Sequence, residues 1–507
     1  MELELERTQR SGYETVLETT VTHEETMEMI VPDACPDILR ICDTGGAVSL
    51  RSKEVLEGRV EVLGSVKASV LYLPDGEEGM RKLEVPMPFT CGVDAAGVTG
   101  QCTVVAIPRV TAAETRSLNP RKVLVRVNLA VAIQVYAPVF GGICTGVPNP
   151  EEAGVQQLVE RYDSCVTACV QEKPFTFSDE IVLSGSKPEM EELLRHRLAL
   201  QCGEAKVIGS KLIFKGEVQL QALYRAEGGA LCTAEFELPF SQIMEVNGAG
   251  EESTCQVQVL PTSSECILGG DGRTLSVTLG LLAQAVVREE RSLDLLTDVY
   301  STAYDLSVET ELCQVDRLLD WGRKEQLVRE ILEVGTPARE VCDAYADIGT
   351  VTQSREGNRL TITAEANVTV LYLSEEGSRT AVTRAVQAVC ALELKEGAVC
   401  SCLCTCPAPV FATPTSGGVE VRFQVDFQYT ALESRSVVGV SALRMDETAP
   451  RDTSAQPSIV LRMVGEQERL WDIAKAYATT QQDIMQANDL EDGTVPGGKL
   501  LLIPKKR

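Results

Sequence analysis

A strand-like segment that ends in Leu-Tyr and an acidic, glycine-containing turn occurs three times in this chain. The leucine of the pair is Leu71, Leu223 or Leu371, so the copies are about 150 residues apart. That spacing is the length of a domain, whereas the repeats of a solenoid are much shorter. The sequence therefore predicts a domain that has been triplicated, with these three leucines at equivalent buried positions.

Other landmarks keep the same register around each Leu-Tyr pair. A proline precedes the pair in every copy, a cysteine follows it, and an alternating strand closes the copy. The landmarks are Pro36, Pro188 and Pro337 before the pair, and Cys102, Cys255 and Cys400 after it. Chance similarity would not place these landmarks in the same order and at nearly the same spacing in all three copies.

The patterns predict a mainly β protein, with three tandem all-β sandwich-like domains and a small C-terminal βααβ module. The expected divisions are a polar leader (1–22), repeats at 23–148, 149–291 and 292–443, a flexible linker (444–458) and the module (459–507). Helix is expected in minor segments, Glu151–Glu160, Glu189–Leu200 and Arg323–Leu332.

The formal charge of −27 makes nucleic acid and anionic lipid surfaces unfavourable partners. The N-terminus lacks the apolar core of a signal peptide, and no apolar stretch reaches the length of a membrane span. We therefore expect no membrane span and a protein that stays in the compartment where it is made. In that setting, 18 cysteines indicate free thiols in a reducing interior.

The C-terminal module has a different composition, with seven basic and seven acidic residues from Ile459 onward. The pattern predicts a strand at Ile459–Val464, helices at Leu470–Tyr477 and Gln481–Asn488, and a strand at Lys499–Ile503. Thr480 is expected to cap the second helix.

These segments strongly resemble a LysM domain, through Leu470-Trp-Asp-Ile-Ala-Lys, Asp483-Ile-Met-Gln-Ala-Asn488 and Val495-Pro-Gly-Gly-Lys-Leu. The resemblance implies binding of N-acetylglucosamine polymers in a groove between two loops. The family's usual Pro-Gly-Asp-Thr is Glu-Gln-Glu-Arg here, so both its glycine and its capping hydroxyl are replaced. The implied groove, for glycan or partner, consists of Glu466, Gln467, Glu468, Arg469, Leu470, Asn488, Asp489, Leu490, Val495, Pro496 and Gly497.

Three acidic repeats before a LysM domain resemble the SPOCS-domain spore coat morphogenetic proteins of spore-forming Clostridia. The resemblance rests on Glu28-Met-Ile-Val31, the Pro36-Asp-Ile38 turn, the Val70-Leu-Tyr-Leu73 type of strand, and the module. It implies a scaffold in the mother cell, at the forespore surface and spore coat, with a SpoIVA-like morphogenetic ATPase and other coat proteins as partners. The alternative is a peptidoglycan-binding protein of the cell wall or spore cortex.

Catalytic and metal chemistry find little support in the sequence. Its histidines, His23 and His196, lie in different repeats, and no Gly-x-Ser-x-Gly elbow or phosphate-binding loop occurs. The run from Cys400 to Cys406 places four thiols at every second position, which suits one face of a strand better than a tetrahedral zinc site. We expect no enzyme activity, cofactor or metal, although a metal or redox role of this run, including oxidative cross-linking of a coat, stays an alternative.

Overall fold

The computed structural model describes residues 2–451 and 457–504, and antiparallel strands dominate it. The first repeat contains β1 (Glu6–Ile30), β2 (Ile38–Leu56), β3 (Arg59–Pro74), β4 (Arg81–Asp94), β5 (Thr103–Asn119) and β6 (Lys122–Gly146). The second contains β7 (Val155–Val182), β8 (Met190–Ile208), β9 (Lys211–Ala226), β10 (Leu231–Glu245), β11 (Thr254–Leu268) and β12 (Thr274–Ser301). The third contains β13 (Tyr304–Leu332), β14 (Ala338–Glu356), β15 (Arg359–Ser374), β16 (Arg379–Glu393), β17 (Val399–Thr405), β18 (Phe411–Thr415) and β19 (Gly418–Pro450).

Each repeat packs two sheets face to face. In the first, the sheet β2-β3-β4 covers the strands β1, β6 and β5, and the alternating side chains of β3 and β6 fill the space between them. The second repeat pairs β8-β9-β10 with β7-β12-β11, and the third pairs β14-β15-β16 with β13, β19, β17 and β18. The mainly β prediction is confirmed.

The outer strands continue past each sandwich as two-stranded ribbons. Ribbon 1 pairs residues 6–15 with 136–146, ribbon 2 pairs 155–167 with 288–301, and ribbon 3 pairs 304–318 with 432–450. The ribbons meet in a second apolar core made of Cys144, Val147, Val155, Leu296, Val299, Val440 and Leu443.

Parts of the predicted polar leader and of the predicted flexible linker belong to these ribbons. Most of the leader lies in β1, and the linker is strand up to Pro450, with residues 452–456 outside the described part. The linker was expected to be flexible, whereas its residues up to Pro450 pair with β13, because the backbone hydrogen bonds of a ribbon do not depend on an apolar alternation.

The three repeats contact one another in a ring. β4 faces β8, β10 faces β14, and β16 faces β2. Leu71, Leu223 and Leu371 are each at most 2% exposed, and they pack together in one cluster with Leu194 and Cys342. The repeated leucines are therefore buried, as predicted, but at the junction of the three repeats.

All three minor helix predictions were wrong. Glu189–Leu200 lies mainly in β8 and Arg323–Leu332 in β13, while Glu151–Glu160 is a 3₁₀ turn (Pro150–Ala153) followed by β7. β8 carries register shifts between Met190 and Glu192 and between Leu193 and Arg195, which interrupt the two-residue alternation of a strand.

The C-terminal module contains β20 (Ile459–Met463), α1 (Leu470–Ala476), α2 (Gln481–Ala487) and β21 (Leu500–Pro504). The predicted β-α-α-β order is confirmed, and the Asp483 amide donates to the Thr480 hydroxyl at 3.0 Å, as a cap should. Residues 505–507 lie outside the described part. No helix in the described ranges is long and apolar enough to cross a membrane.

Candidate binding site in the C-terminal module

The first loop of the candidate groove, residues 465–469, is held in a closed conformation by the carboxylate of one of its own residues, Glu468. The Glu468 side chain accepts the Gly465 amide at 3.0 Å and pairs with Arg462. Gln467, which replaces the glycine of the family pattern, has φ +64°, a left-handed conformation that favours glycine. The loop therefore keeps a glycine-like backbone while carrying a long side chain.

Arg469 occupies the N-cap of α1, and its side chain makes no capping hydrogen bond there. Instead, its guanidinium binds both carboxylate oxygens of Asp472 at 2.9 Å. This contact raises the pKa of Arg469 and lowers that of Asp472. The expected loss of the capping hydroxyl is thus partly offset by a charged pair in the first turn.

The second loop, residues 488–497, closes against the first. A Cβ on Gly497 would stand 3.3 Å from the Glu466 Cα, so the two loops touch at this point. Asn488 is structural, because its side chain bonds both the amide and the carbonyl of Leu502. Leu490 and Val495 are half-buried and pack on the module core.

The predicted groove residues therefore divide into two groups. Leu470 is buried in the module core, and Glu468, Asn488, Leu490 and Val495 are partly buried. The exposed ones are Glu466, Gln467, Arg469, Asp489, Pro496 and Gly497. The accessible rim is consequently polar and partly charged.

The opposite side of α1 docks on ribbon 2. The Trp471 indole N–H donates to Asp298 at 2.7 Å, and the Lys475 ammonium donates to the same carboxylate at 2.6 Å. Trp471 also packs edge to face on Tyr300, whose hydroxyl donates to the Thr479 carbonyl at 2.8 Å. Burial is the main cause that raises the pKa of Tyr300, and the nearby Asp298 carboxylate raises it further.

Sequence reasoning did not find Asp298 and Tyr300, the partners of Trp471. Nothing in the sequence around these two residues distinguishes them from other positions of a polar ribbon. The module is thus fixed to the body by a polar clamp, which we call the Asp298 clamp (Asp298, Tyr300, Trp471 and Lys475).

The two-stranded sheet of the module has apolar residues on both faces. Val460, Leu501 and Ile503 point to the helices, whereas Ile459, Leu461, Met463 and Leu500 are each more than half exposed. We call the latter four the outer sheet face. Strands that are apolar on both faces are typical of sheets that are covered on both sides.

The thiols of the Cys400–Cys406 run pack on the core of the third repeat. The Cys402 and Cys404 sulfurs lie 4.0 Å apart, and the pKa of the Cys402 thiol is raised by its hydrogen bond with Cys404 and by burial. Within residues 2–451 and 457–504, no group of three or more histidine, cysteine or acidic side chains could hold a metal ion. The Cys402 thiol is therefore a weak nucleophile in a packed strand.

The two histidines make separate local contacts. His23 lies 2.7 Å from Glu25, and His196 lies 3.1 Å from the Ser264 hydroxyl. Burial and the nearby Lys67 lower the pKa of His196 to about 4. Such a weak base is poorly matched to activating a hydroxyl at neutral pH.

Comparison with known families agrees with this architecture. Residues 37–116 and 189–266 match the family described as SipL, SPOCS domain, and residues 464–504 match the LysM domain. The two SPOCS matches lie in the first and second repeats. No curated protein and no solved structure matches the chain.

Proposed function

We propose that this chain, with the SPOCS and LysM domains of a SipL-like protein, is a non-enzymatic scaffold that tethers the spore coat to the forespore surface. Both matched families are binding domains without catalytic function. The SPOCS match indicates a role related to the spore coat, and the LysM match indicates peptidoglycan binding. In our proposal the three repeats form the body, and the module captures a SpoIVA-like morphogenetic protein in the mother cell.

The closed first loop is the observation that carries this proposal. The Glu468 carboxylate already holds the Gly465 amide, so an acetamido group approaching this backbone would have to displace a bonded charge. Gln467 and Arg469 add long exposed side chains, whose immobilisation around a neutral sugar costs conformational entropy. A protein partner with a complementary charged rim suits this surface better.

The outer sheet face offers the module a second, apolar contact area for the same partner. Leu461 and Met463 are 64% and 68% exposed, and isolated small modules rarely leave such side chains clustered without a partner. Leu490 packs on the module core, so it is less suited than Leu461 for probing binding without disturbing the fold.

The proposal is tested by measuring the affinity of the full chain for a purified SpoIVA-like ATPase by surface plasmon resonance. Leu461→Lys places a charge in the outer sheet face and should weaken binding at least tenfold. Leu312→Lys is the matched control, because Leu312 is 70% exposed on ribbon 3, far along the chain from the module. Equal affinities of the two variants would contradict the proposed surface.

Peptidoglycan binding is the second candidate, favoured by the LysM match and by the left-handed backbone retained at Gln467. Calorimetric titration of the unmodified chain with N-acetylglucosamine oligomers should give no binding heat, whereas tight binding would promote this candidate. Gln467→Gly with Glu468→Asp and Arg469→Thr rebuilds the family loop, and this variant should gain sugar affinity.

A further inference from the structure

A cavity of about 50 Å³ lies at the junction between the first and second repeats. One wall is the sheet of β2, β3 and β4, and the other comes mainly from β8. The side chains that matter here are Lys67, Ser69 and Lys82 on the first wall, and Arg195 and Arg197 on the second. The cavity is distinct from the module and from every residue used in the proposed function.

Several buried polar atoms around the cavity have no hydrogen-bond partner among residues 2–451 and 457–504. Arg195 is held through Nη2 by Asp43 at 2.7 Å and Asp343 at 2.8 Å, yet its Nη1 donates to nothing. Arg197 pairs through Nη1 with Asp347 at 3.2 Å, and its Nη2 makes no hydrogen bond to a described residue. The Ser69 hydroxyl is also unpartnered. Buried donors are normally satisfied, so these atoms point to a missing acceptor.

One unpartnered nitrogen of each guanidinium group points to the same place. Arg195 Nη1 and Arg197 Nη2 lie 2.7 and 2.9 Å from the point where a Cβ on Gly45 would stand. Both guanidiniums lie over the ring of Tyr345, at 4.9 and 3.4 Å from its centroid. The Arg195 side chain is only 4% exposed, so its orientation is fixed by packing and not by solvent.

The facing wall adds positive charge. Lys67 and Lys82 share a single carboxylate, Glu84, at 3.0 and 3.3 Å. The repeats provide an internal comparison, because the positions of Lys67 and Ser69 are Gln219 and Gln221 in the second repeat and Asn367 and Thr369 in the third. The lysine at this position is therefore specific to the junction between repeats 1 and 2.

We propose that this cavity binds one small inorganic oxyanion of the size of phosphate. A water molecule needs roughly 10–15 Å³ of such space, so the cavity has room for a few waters or one tetrahedral oxyanion. Guanidinium N–H groups and a hydroxyl are the donors that oxyanions prefer, and Lys67 and Lys82, which share the Glu84 carboxylate, leave one positive charge on the facing wall. Because the anion touches two repeats, it stabilises the ring against opening at this junction.

Titration calorimetry with sodium phosphate tests the proposal on the full chain, in a phosphate-free buffer at matched ionic strength. We expect one phosphate per chain, accompanied by a saturable rise in the melting temperature. Lys67→Gln with Ser69→Ala should lower the affinity at least tenfold. The control variant, Lys206→Gln with Ser210→Ala, makes the same two changes at exposed positions of the β8–β9 hairpin and should bind phosphate normally.

Proton NMR of the histidine rings gives a second readout that needs no variant. His196 lines the cavity and His23 does not, so phosphate should shift the His196 resonances and leave those of His23 in place. Unshifted His196 resonances would mean that the cavity holds only water. Equal phosphate affinity in the unmodified chain and the cavity variant would place any bound ion elsewhere, and either result overturns the proposal.

Discussion

Arg195 is the side chain on which the ring of repeats depends most directly. It joins Asp43 of the first repeat to Asp343 of the third, and all three residues are less than 9% exposed. Replacing it removes the cation and leaves two carboxylates buried without it. We predict that Arg195→Met destabilises the chain by about 3–5 kcal/mol, measured by urea unfolding.

Arg161→Met is the control for this prediction. Arg161 pairs with Asp294 on the surface of ribbon 2, where both side chains are well exposed. Removing such a pair should change stability by about 1 kcal/mol or less. A loss of similar size in the two variants would contradict the role assigned to Arg195.

The partly buried thiols should be slow to react in the folded chain. Burial raises the pKa of Cys202, Cys255, Cys266 and Cys400 to about 11. At pH 8, only about one such thiol in a thousand is therefore ionised, and the thiolate is the reactive species. Iodoacetamide labelling followed by mass spectrometry should modify these cysteines readily only after unfolding in guanidinium. Fast labelling of the native Cys400–Cys406 run would instead favour a redox role.

At the residue scale, the sequence showed that Leu71, Leu223 and Leu371 are equivalent, and alternation predicted that they are buried. It could not show that they meet one another, because alternation specifies a face of a strand and not what covers that face. The trio Asp43, Arg195 and Asp343 was missed for a related reason. These positions are also equivalent, but opposite charges hide the equivalence in the sequence.

At the scale of elements, the wrong helix predictions have local causes. In β13 only Val328 and Leu332 are buried over its last ten residues, and this spacing of four imitates a helix. In β8 the register shifts bring neighbouring residues to the same side. The module helices were predicted well because their apolar spacing and their cap agree with each other.

The docking of α1 on ribbon 2 should depend on Asp298. Asp298→Ala removes the acceptor of both Trp471 and Lys475, and a hydrogen bond to a charged group contributes about 1.5–3 kcal/mol. We expect the module to detach while staying folded. In a Trp321→Phe background, Trp471 fluorescence should then shift to longer wavelength and become more accessible to acrylamide.

Asp294→Ala provides the comparison on the same strand, because Asp294 faces Arg161 and makes no contact with Trp471. This variant should keep the emission of the unmodified chain. An unchanged Trp471 spectrum in Asp298→Ala would mean that other contacts suffice to hold the module.

At the scale of the whole molecule, the central leucine cluster predicts shared stability. Leu71→Ala, Leu223→Ala and Leu371→Ala should each lower the free energy of unfolding by about 2–5 kcal/mol, because each change leaves a cavity at the junction of all three repeats. We expect every variant to unfold at a lower urea concentration in all repeats together. Leu39→Ala, at a position that is 65% exposed, should change stability by about 0.5 kcal/mol or less.

Separate unfolding of a single repeat in these leucine variants would show that the repeats are independent. Triplication was visible in the sequence, but closure into a ring was not, because the contacts of β4 with β8, β10 with β14 and β16 with β2 join segments far apart in the chain. Such contacts carry no local periodic signal.

The ribbons also determine how a mechanical force on the module is transmitted to the body formed by the three repeats. A force that acts on the module is transmitted to the body through two connections. One is the chain between Pro450 and Ile459, and the other is the contact of Trp471 with Asp298. Both connections arrive at the tips of ribbons 2 and 3, where Tyr304 pairs with Pro450. A load directed along these strands is shared by many backbone hydrogen bonds in shear, so they do not open one at a time. The lifetime of the folded chain under such a load is set by its rate of unfolding and not by its equilibrium stability.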